Sequence, residues 1–320
     1  MKLVGAFFRL IRWPNLFFIA LTQFLFYYCI LLPSFQNRQP LVFENILQPS
    51  EFYLLCLSSV LIAAAGYIIN DYFDLNIDRV NKPEKMVVEK LIKRRWTIVW
   101  HWILSSIGVL LGFYVSWELR NIFVGMANLF CVFLLWFYST NFKRELLIGN
   151  IIISLLTSWV ILVLYLCEFR LHRFEQPAFA PILSRVYKLS ILYAAFAFIT
   201  SLVREVIKDM EDVSGDRRYG CKTMPIVWGI NVSKVFTAVW LIVLIVSLVV
   251  VQIYVLQYRW WWSEAYALVS IILPLLLILR NLYRAVNSAD YHRLSSMVKG
   301  VMLAGILSMI FFKWYSSWIL

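Results

Sequence analysis

The chain has 320 residues, of which 62% are apolar and only 15% charged, with a mean hydropathy of +0.76. Soluble domains run near about a quarter charged, and no water-soluble core of this size could hide so much Leu, Ile, Val and Phe, so a secreted domain, a cytosolic enzyme, a disordered tail and most nucleic-acid binders are excluded. The net charge of +12 then reads as basic loops on the cytoplasmic face of a membrane.

A bilayer core takes about 20 mostly apolar residues per helix. In chain order such runs fall at 15–33, 52–72, 97–117, 121–140, 147–167, 187–207, 226–256, 263–282 and 298–318. They predict an all-α fold, a polytopic bundle of nine transmembrane helices forming a single domain over residues 1–320. Arg9 and Arg12 precede the first run, which is of membrane length and lacks a small-residue cleavage pattern, so it reads as a span rather than a cleaved signal. The 226–256 run is long enough to tilt or to extend into a loop.

Sidedness follows from the basic residues. With the amino terminus inside, the inner segments hold Lys2, Arg9 and Arg12, then Arg79, Lys82, Lys85, Lys90, Lys93, Arg94 and Arg95. They also hold Lys143, Arg144, Arg204, Lys208, Arg217, Arg218, Lys222, Lys234, Arg280, Arg284, Arg293 and Lys299. The outer side keeps Arg38, Arg120, Arg170, Arg173, Arg185, Lys188 and Arg259, with Lys313 near the last helix end. The bias predicts a cell-membrane protein, inner or plasma, with a cytoplasmic amino terminus. Cys29, Cys56, Cys131, Cys167 and Cys221 form no CxxC pair, so neither a disulfide framework nor a zinc site is indicated. His101, His172 and His292 have no metal-ligand spacing and read as interfacial or packed.

The informative charge is negative. The second run ends Asn70-Asp71-Tyr72-Phe73-Asp74-Leu75-Asn76-Ile77-Asp78, and the sixth ends Lys208-Asp209-Met210-Glu211-Asp212-Val213-Ser214-Gly215-Asp216. Aspartates recur as D-x2-D-x3-D in both, with a constant offset of 138 residues. Four spans apart, both clusters emerge on one side, which reads as a trace of internal duplication. On a helix these positions share one face. Three carboxylates there repel one another unless a cation lies between them, and two such faces opposing each other across a cavity would suit magnesium. That ion takes a few carboxylates and fills its remaining positions with water and phosphate oxygens. The plain alternative is a set of solvated acids at helix ends.

Basic residues supply the other half of an anion site. Arg204, Lys208 and Asp212 follow i, i+4, i+8, and Tyr138-Ser139-Thr140-Asn141-Phe142-Lys143-Arg144 reaches the same side. Lys143 and Arg144 read equally as topology anchors, while Arg204, deep in an apolar helix, reads as functional or paired. Glu205 is either its structural partner or a further metal ligand. Magnesium, carboxylates and Arg/Lys at a lipid-embedded cavity point to an amphiphile bearing a diphosphate, such as an isoprenyl diphosphate. Metal and cations would stabilise the leaving pyrophosphate while the allylic C–O bond ionises, and aromatic faces such as Tyr67, Tyr72, Phe73 and Tyr138 would line the carbocation.

These residues resemble the UbiA superfamily of intramembrane prenyltransferases over nearly the whole chain. Asn70-Asp71-x-x-Asp74-x-x-x-Asp78 is similar to its first signature, and Asp209-x-x-Asp212-x-x-x-Asp216 to its second. Arg12-x-x-Asn15, Tyr138-Ser139 with Lys143-Arg144, and Gly149-Asn150 also match the pattern. The resemblance implies a helical bundle, magnesium dependence and a polyprenyl diphosphate donor. It implies magnesium held through Asn70, Asp71, Asp74, Asp209 and Asp212, with Asp71, Asp74, Asp209 and Asp212 as the catalytic carboxylates. Substrate contacts would come from Asn15, Asn70, Tyr138, Lys143, Arg144, Arg204, Lys208, Asp78 and Asp216. Within the superfamily the motifs look most like the digeranylgeranylglyceryl phosphate synthase branch, which transfers a geranylgeranyl group to a glycerol phosphate ether lipid. One departure is that Pro83 is followed by Glu84-Lys85-Met86-Val87-Val88-Glu89-Lys90 rather than an Arg-Pro-x-Pro-Ser-Gly stretch.

The expected partners are a polyprenyl diphosphate, a membrane-associated acceptor and the lipid bilayer, with no nucleic acid. Three other functions compete. Prenylation of an aromatic quinone precursor would use the same mechanism. A CDP-alcohol phosphotransferase would also use intramembrane aspartates and magnesium, but its D-G-x-x-A-R run is absent. An ion-coupled transporter would favour acids near mid-membrane over clusters at helix ends.

Overall fold

Lipid offers a backbone no hydrogen bonds, so apolar runs of this length must satisfy their own carbonyls by closing into helices. The computed structural model describes residues 2–36, 47–81, 86–169 and 180–319. Among these, nine helices are long and apolar enough to cross a bilayer. They are α1 (Trp13–Phe35), α2 (Pro49–Phe73), α3 (Arg94–Glu118), α4 (Ile122–Thr140), α5 (Ile148–Glu168), α6 (Ala180–Arg218), α7 (Ile230–Leu256), α8 (Trp261–Arg284) and α9 (Ser288–Tyr315). No strand occurs among the described residues, which hold one isolated bridge between Val88 and Ile92. The chain is an all-α, multi-pass membrane protein. Arg38, Lys82, Pro83, Glu84, Lys85, Arg170, His172 and Arg173 lie outside the described residues.

Several boundaries depart from the hydropathy reading, each for a local reason. The expected 187–207 span is a helix of 39 residues, about 58 Å long at the helical rise and nearly twice the ~30 Å hydrocarbon core. Hydropathy fades where Lys208, Asp209, Glu211 and Asp212 begin, but the helix continues through all of them. The 226–256 run breaks instead of tilting: a short helix, Met224–Val227, is separated from α7 by Gly229, whose φ of +85° suits a residue without a Cβ. The last span starts ten residues before the expected 298, at Ser288, where Asn287 and Asp290 form a reciprocal capping box. Arg284 and Arg293, which fell between the expected spans, therefore lie on helices. Two π turns, Tyr27–Leu31 in α1 and Leu268–Ile272 in α8, each precede a proline, Pro33 and Pro274, which has no N–H to close the usual ladder.

The chain divides into two compact units, one of residues 1–24, 38–143 and 160–187, the other of 25–37, 144–159 and 188–320. In the first, the amino-terminal helix Lys2–Leu10 buries Ala6 and Leu10 against Ala64, Ala65 and Ile68 of α2. Val87 and Val88, in the segment that departs from the family pattern, join the same core. A turn holds them there, with the Glu89 amide donating to the Ile92 carbonyl at 2.8 Å. Helices α2 and α3 approach closely at Gly108, where a Cβ would stand 2.8 Å from Ile62 and 3.2 Å from the Ser58 carbonyl oxygen. Ser58 Oγ donates to the Gly108 carbonyl at 2.6 Å, so a small residue lets one backbone bond to the other helix within the apolar layer. In the second unit Val203, Val206, Ile207 and Met210 of α6 pack with Leu241, Leu275, Ile278, Leu294 and Val298 of α7, α8 and α9. The first acidic cluster belongs to the first unit and the second cluster to the second. All five cysteines are buried.

Replacing Gly108 by Leu should destabilise the protein by about 1–3 kcal/mol through overpacking. Thermal unfolding in detergent checks this: a clear drop in Tm is expected, and an unchanged Tm would mean that α2 and α3 do not pack as closely as described.

Candidate functional site

The first set of polar groups is built where α2 runs out. Asn70 and Asp71 occupy its last turn, and Asp74 caps it with φ −83° and ψ −3°, accepting the chain into a second short helix, Leu75–Asn81, that carries Asp78. The expectation of one continuous helix is corrected here: the helix is interrupted at Asp74, although backbone bonds from Asp74 to Asn70 and from Asp78 to Asp74 span the break and Asp78 stays within electrostatic reach of Asp71 and Asp74. Asp74 is only 3% exposed, and its Oδ2 accepts from Asn70 Nδ2 at 2.7 Å and from Lys143 Nζ. Lys143 Nζ also reaches Asn70 Oδ1 at 3.3 Å.

Two cations thus enter this set. Lys143 comes from the 3-10 turn Phe142–Arg144 that follows α4. Arg12 comes from the joint between the helix Lys2–Leu10 and α1, with φ at +52°, a left-handed conformation that side-chain-bearing residues avoid. Its Nη2 donates to Asp71 Oδ1 at 2.6 Å, and its guanidinium lies 5.2 Å from the Tyr67 ring centroid. Arg94, at the start of α3, stacks 4.3 Å over the Tyr72 ring. Burial works against both the Arg12 and Lys143 charges. It is outweighed by Asp71 and Tyr67 at Arg12 and by Asp74 and Tyr138 at Lys143, so both pKa values are raised and both groups stay protonated. Burial and then the Asp74 charge push the Asp78 carboxyl up to about 6, against the pull of Lys143.

The second set lies along α6. Asp209, Asp212 and Asp216 do share one face of a continuous helix there, as their spacing requires. Asp209 Oδ2 accepts from Asn150 Nδ2, near the start of α5, at 2.8 Å. One turn earlier, Glu205 gathers two cations: Arg204 Nη1 donates to its Oε1 at 2.9 Å and Lys208 Nζ to both oxygens at 3.2 and 3.1 Å. Glu205 is thus a charge partner of both Arg204 and Lys208. Arg204 keeps its Nε buried with no hydrogen-bond partner, a donor left over for an anion. Farther along, Glu211 Oε1 meets His292 Nδ1 at 2.9 Å, and its carbonyl accepts from Ser288 Oγ at 3.1 Å, tying α6 to the start of α9.

The other expected residues are placed less centrally. Asn15 is half-buried on α1 with its amide donating to the Arg12 carbonyl at 2.8 Å. Tyr138 is half-buried on α4 within electrostatic reach of Lys143. Arg144 is exposed, and its backbone carbonyl accepts from the Lys222 amide at 2.7 Å. His101 is buried against the Ala65 carbonyl, as a packed histidine should be. The site assignment from sequence omitted Arg12, Asn150 and Glu205, although Arg12 and Asn150 lie inside quoted motifs and Glu205 beside Arg204.

The donors suit a small hard cation. They are carboxylate and amide oxygens. Among the described residues no three His, Cys, Asp or Glu side chains are drawn together as a metal cage.

The comparisons with known proteins bear on the same residues. Digeranylgeranylglyceryl phosphate synthase of Methanothermobacter thermautotrophicus is 35% identical over 208 residues, 64% of this chain and 66% of the relative. The protein of that name from Methanosphaera stadtmanae is 27% identical over 81% of this chain and 86% of the relative. A solved structure from work on digeranylgeranylglyceryl phosphate synthase in membranes superimposes with a TM-score of 0.63 at 21% identity, covering 97% of this chain and 99% of that one. A UbiA homolog from Archaeoglobus fulgidus, bound to GPP and Mg2+, gives 0.53 at 14% identity, covering 95% of this chain and 99% of that one. The UbiA prenyltransferase family itself matches residues 41–315, a stretch that holds both acidic clusters and all but the first of the spanning helices, and the chain belongs to that family.

Proposed function

We propose that this chain transfers a polyprenyl group, geranylgeranyl by the names of its relatives, from its diphosphate to a glycerol phosphate ether lipid. The observation that carries the reading is the first polar set, in which buried Asp74 and half-buried Asp71 sit beside Asn70, Lys143 and Arg12 at the end of a membrane-spanning helix. Acids and bases held together at that depth suit a ligand that is both metal-bound and anionic. Family membership adds prenyl transfer as the reaction.

In this reading Asn70, Asp71 and Asp74 would hold magnesium in the first set, and Asp209 and Asp212 would do so in the second; the metal would supply positive charge for the departing diphosphate. Lys143, Arg144, Arg204 and Lys208 neutralise phosphate oxygens, Arg204 through the Nε that has no partner. Asn150 orients Asp209 by its hydrogen bond, and Asn70 does the same for Asp74. The allylic C–O bond breaks with its electron pair leaving on the diphosphate. A new C–O bond forms to the acceptor hydroxyl, whose proton departs with the pyrophosphate. Tyr72 and Phe73, in edge contact at 5.1 Å, and Trp136, 5.9 Å from Phe73, offer ring faces that stabilise the cation and exclude water. The basic residues around the acidic helix ends favour the cytoplasmic side of the membrane for this chemistry.

Asp71→Asn or Asp209→Asn should lower transfer of a radiolabelled prenyl chain by about a hundredfold or more while the protein stays folded by thermal unfolding; Tyr72→Phe should cost far less. Full activity in either Asn variant would contradict the assignment. Removing divalent cations with EDTA should stop turnover, and added magnesium should restore it; turnover that persists in EDTA would exclude a metal-held diphosphate.

A further inference from the structure

Both half-buried or buried carboxylates that the first set offers to a metal already carry a protein cation. Arg12 occupies Asp71 at 2.6 Å, and Lys143 occupies Asp74 together with Asn70. Within these two pairs the charges balance, and Asp78 adds a further carboxylate beside them. That balance is needed in the resting protein, because Asp74 is 3% exposed and an unpaired charge at such a position is strongly destabilising. A divalent ion entering alone would leave the set with an excess of positive charge in a weakly polarisable environment. The same ion entering with a diphosphate would bring its own compensating anion, and both protein cations would gain phosphate oxygens to bind.

The chain is arranged so that the cations can move while the carboxylates stay. Asp71 belongs to the last turn of a spanning helix, and Asp74 is fixed by its cap and by Asn70. Arg12 stands at the joint between two helices with its backbone in the left-handed region, and Lys143 stands in a 3-10 turn between two spans. Both are long side chains anchored outside the spanning helices.

We propose that Arg12 and Lys143 act as resident substitutes for the metal, holding Asp71 and Asp74 in the ligand-free protein and passing to phosphate oxygens when metal and diphosphate arrive together. Magnesium therefore binds tightly only in company with a diphosphate. The inference rests on the prenyl-diphosphate reading above and concerns how that site is kept when empty.

The test uses the full chain in detergent micelles, with binding followed by calorimetry and thermal unfolding against magnesium alone, inorganic pyrophosphate alone and the two together. For the wild type, magnesium alone should give little heat and little rise in Tm, whereas the pair should give both. Arg12→Gln and Lys143→Met remove one resident cation each. Each should bind magnesium alone about tenfold more tightly than the wild type, a difference of about 1.4 kcal/mol. Should Lys143→Met fail to fold with Asp74 unpaired, Arg12→Gln carries the comparison, since the Arg12 side chain is 37% exposed. A wild type that binds magnesium equally well with and without pyrophosphate, or variants no tighter than the wild type, would overturn the exchange. Cooperative binding of magnesium and pyrophosphate without any prenyl transfer would sink the function and leave the exchange standing.

Discussion

Burying the Asp74 carboxylate at the end of a membrane-spanning helix is the constraint around which the polar part of the first unit is organised. A carboxylate at 3% exposure needs a counter-charge and filled lone pairs. Lys143 and Asn70 supply both. To do so, the turn after α4 must bring Lys143 to the end of α2, and α2 must stop at Phe73 rather than continue through Asp78. Arg12 meets the same need at Asp71 and accepts a left-handed backbone to do it. The second unit answers the requirement by other means, with Asn150 on Asp209 and two cations on Glu205.

The bilayer dictates the rest. Because backbone groups must be satisfied inside each span, every crossing is a helix, and close packing between crossings uses small residues such as Gly108. Polar chemistry is then confined to helix ends and to extensions beyond the apolar layer. At 39 residues, α6 is the longest such extension, and it carries Glu205, Lys208, Asp209, Asp212 and Asp216 on one rigid element. A rigid helix holds those groups in register more firmly than a loop of the same sequence.

Much of this is legible in the sequence because the physical signals are strong and local. Hydropathy finds the nine crossings seen among the described residues, and the shared D-x2-D-x3-D spacing finds both acidic sets. Spacing alone does not show where a helix is interrupted. The i, i+3, i+7 positions Asp209, Asp212 and Asp216 lie on one uninterrupted helix, whereas Asp71 and Asp78 lie on two helices that meet at Asp74. Hydropathy windows likewise end α6 at its first charges and delay α9 past Asp290, His292 and Arg293, although capping and tertiary contact keep both helical there. Partners distant in the chain are the hardest to see. Arg12 with Asp71 and Asn150 with Asp209 are each 59 residues apart, and Arg12 maps onto Asn150 by the same 138-residue offset as the aspartates, but the offset alone does not say that these residues bond. Glu205, adjacent to Arg204, was visible but ambiguous until its bonds to both Arg204 and Lys208 were known.

The most direct measurement is an electron cryo-microscopy structure of the full chain with magnesium and a non-reactive thiodiphosphate analogue of the donor. The account predicts metal density about 2.0–2.1 Å from oxygens of Asp71 or Asp74, with the diphosphate bound through it and Lys143 turned onto a phosphate oxygen. An analogue bound elsewhere in the protein, with Asp71 and Asp74 still paired to Arg12 and Lys143, would contradict it.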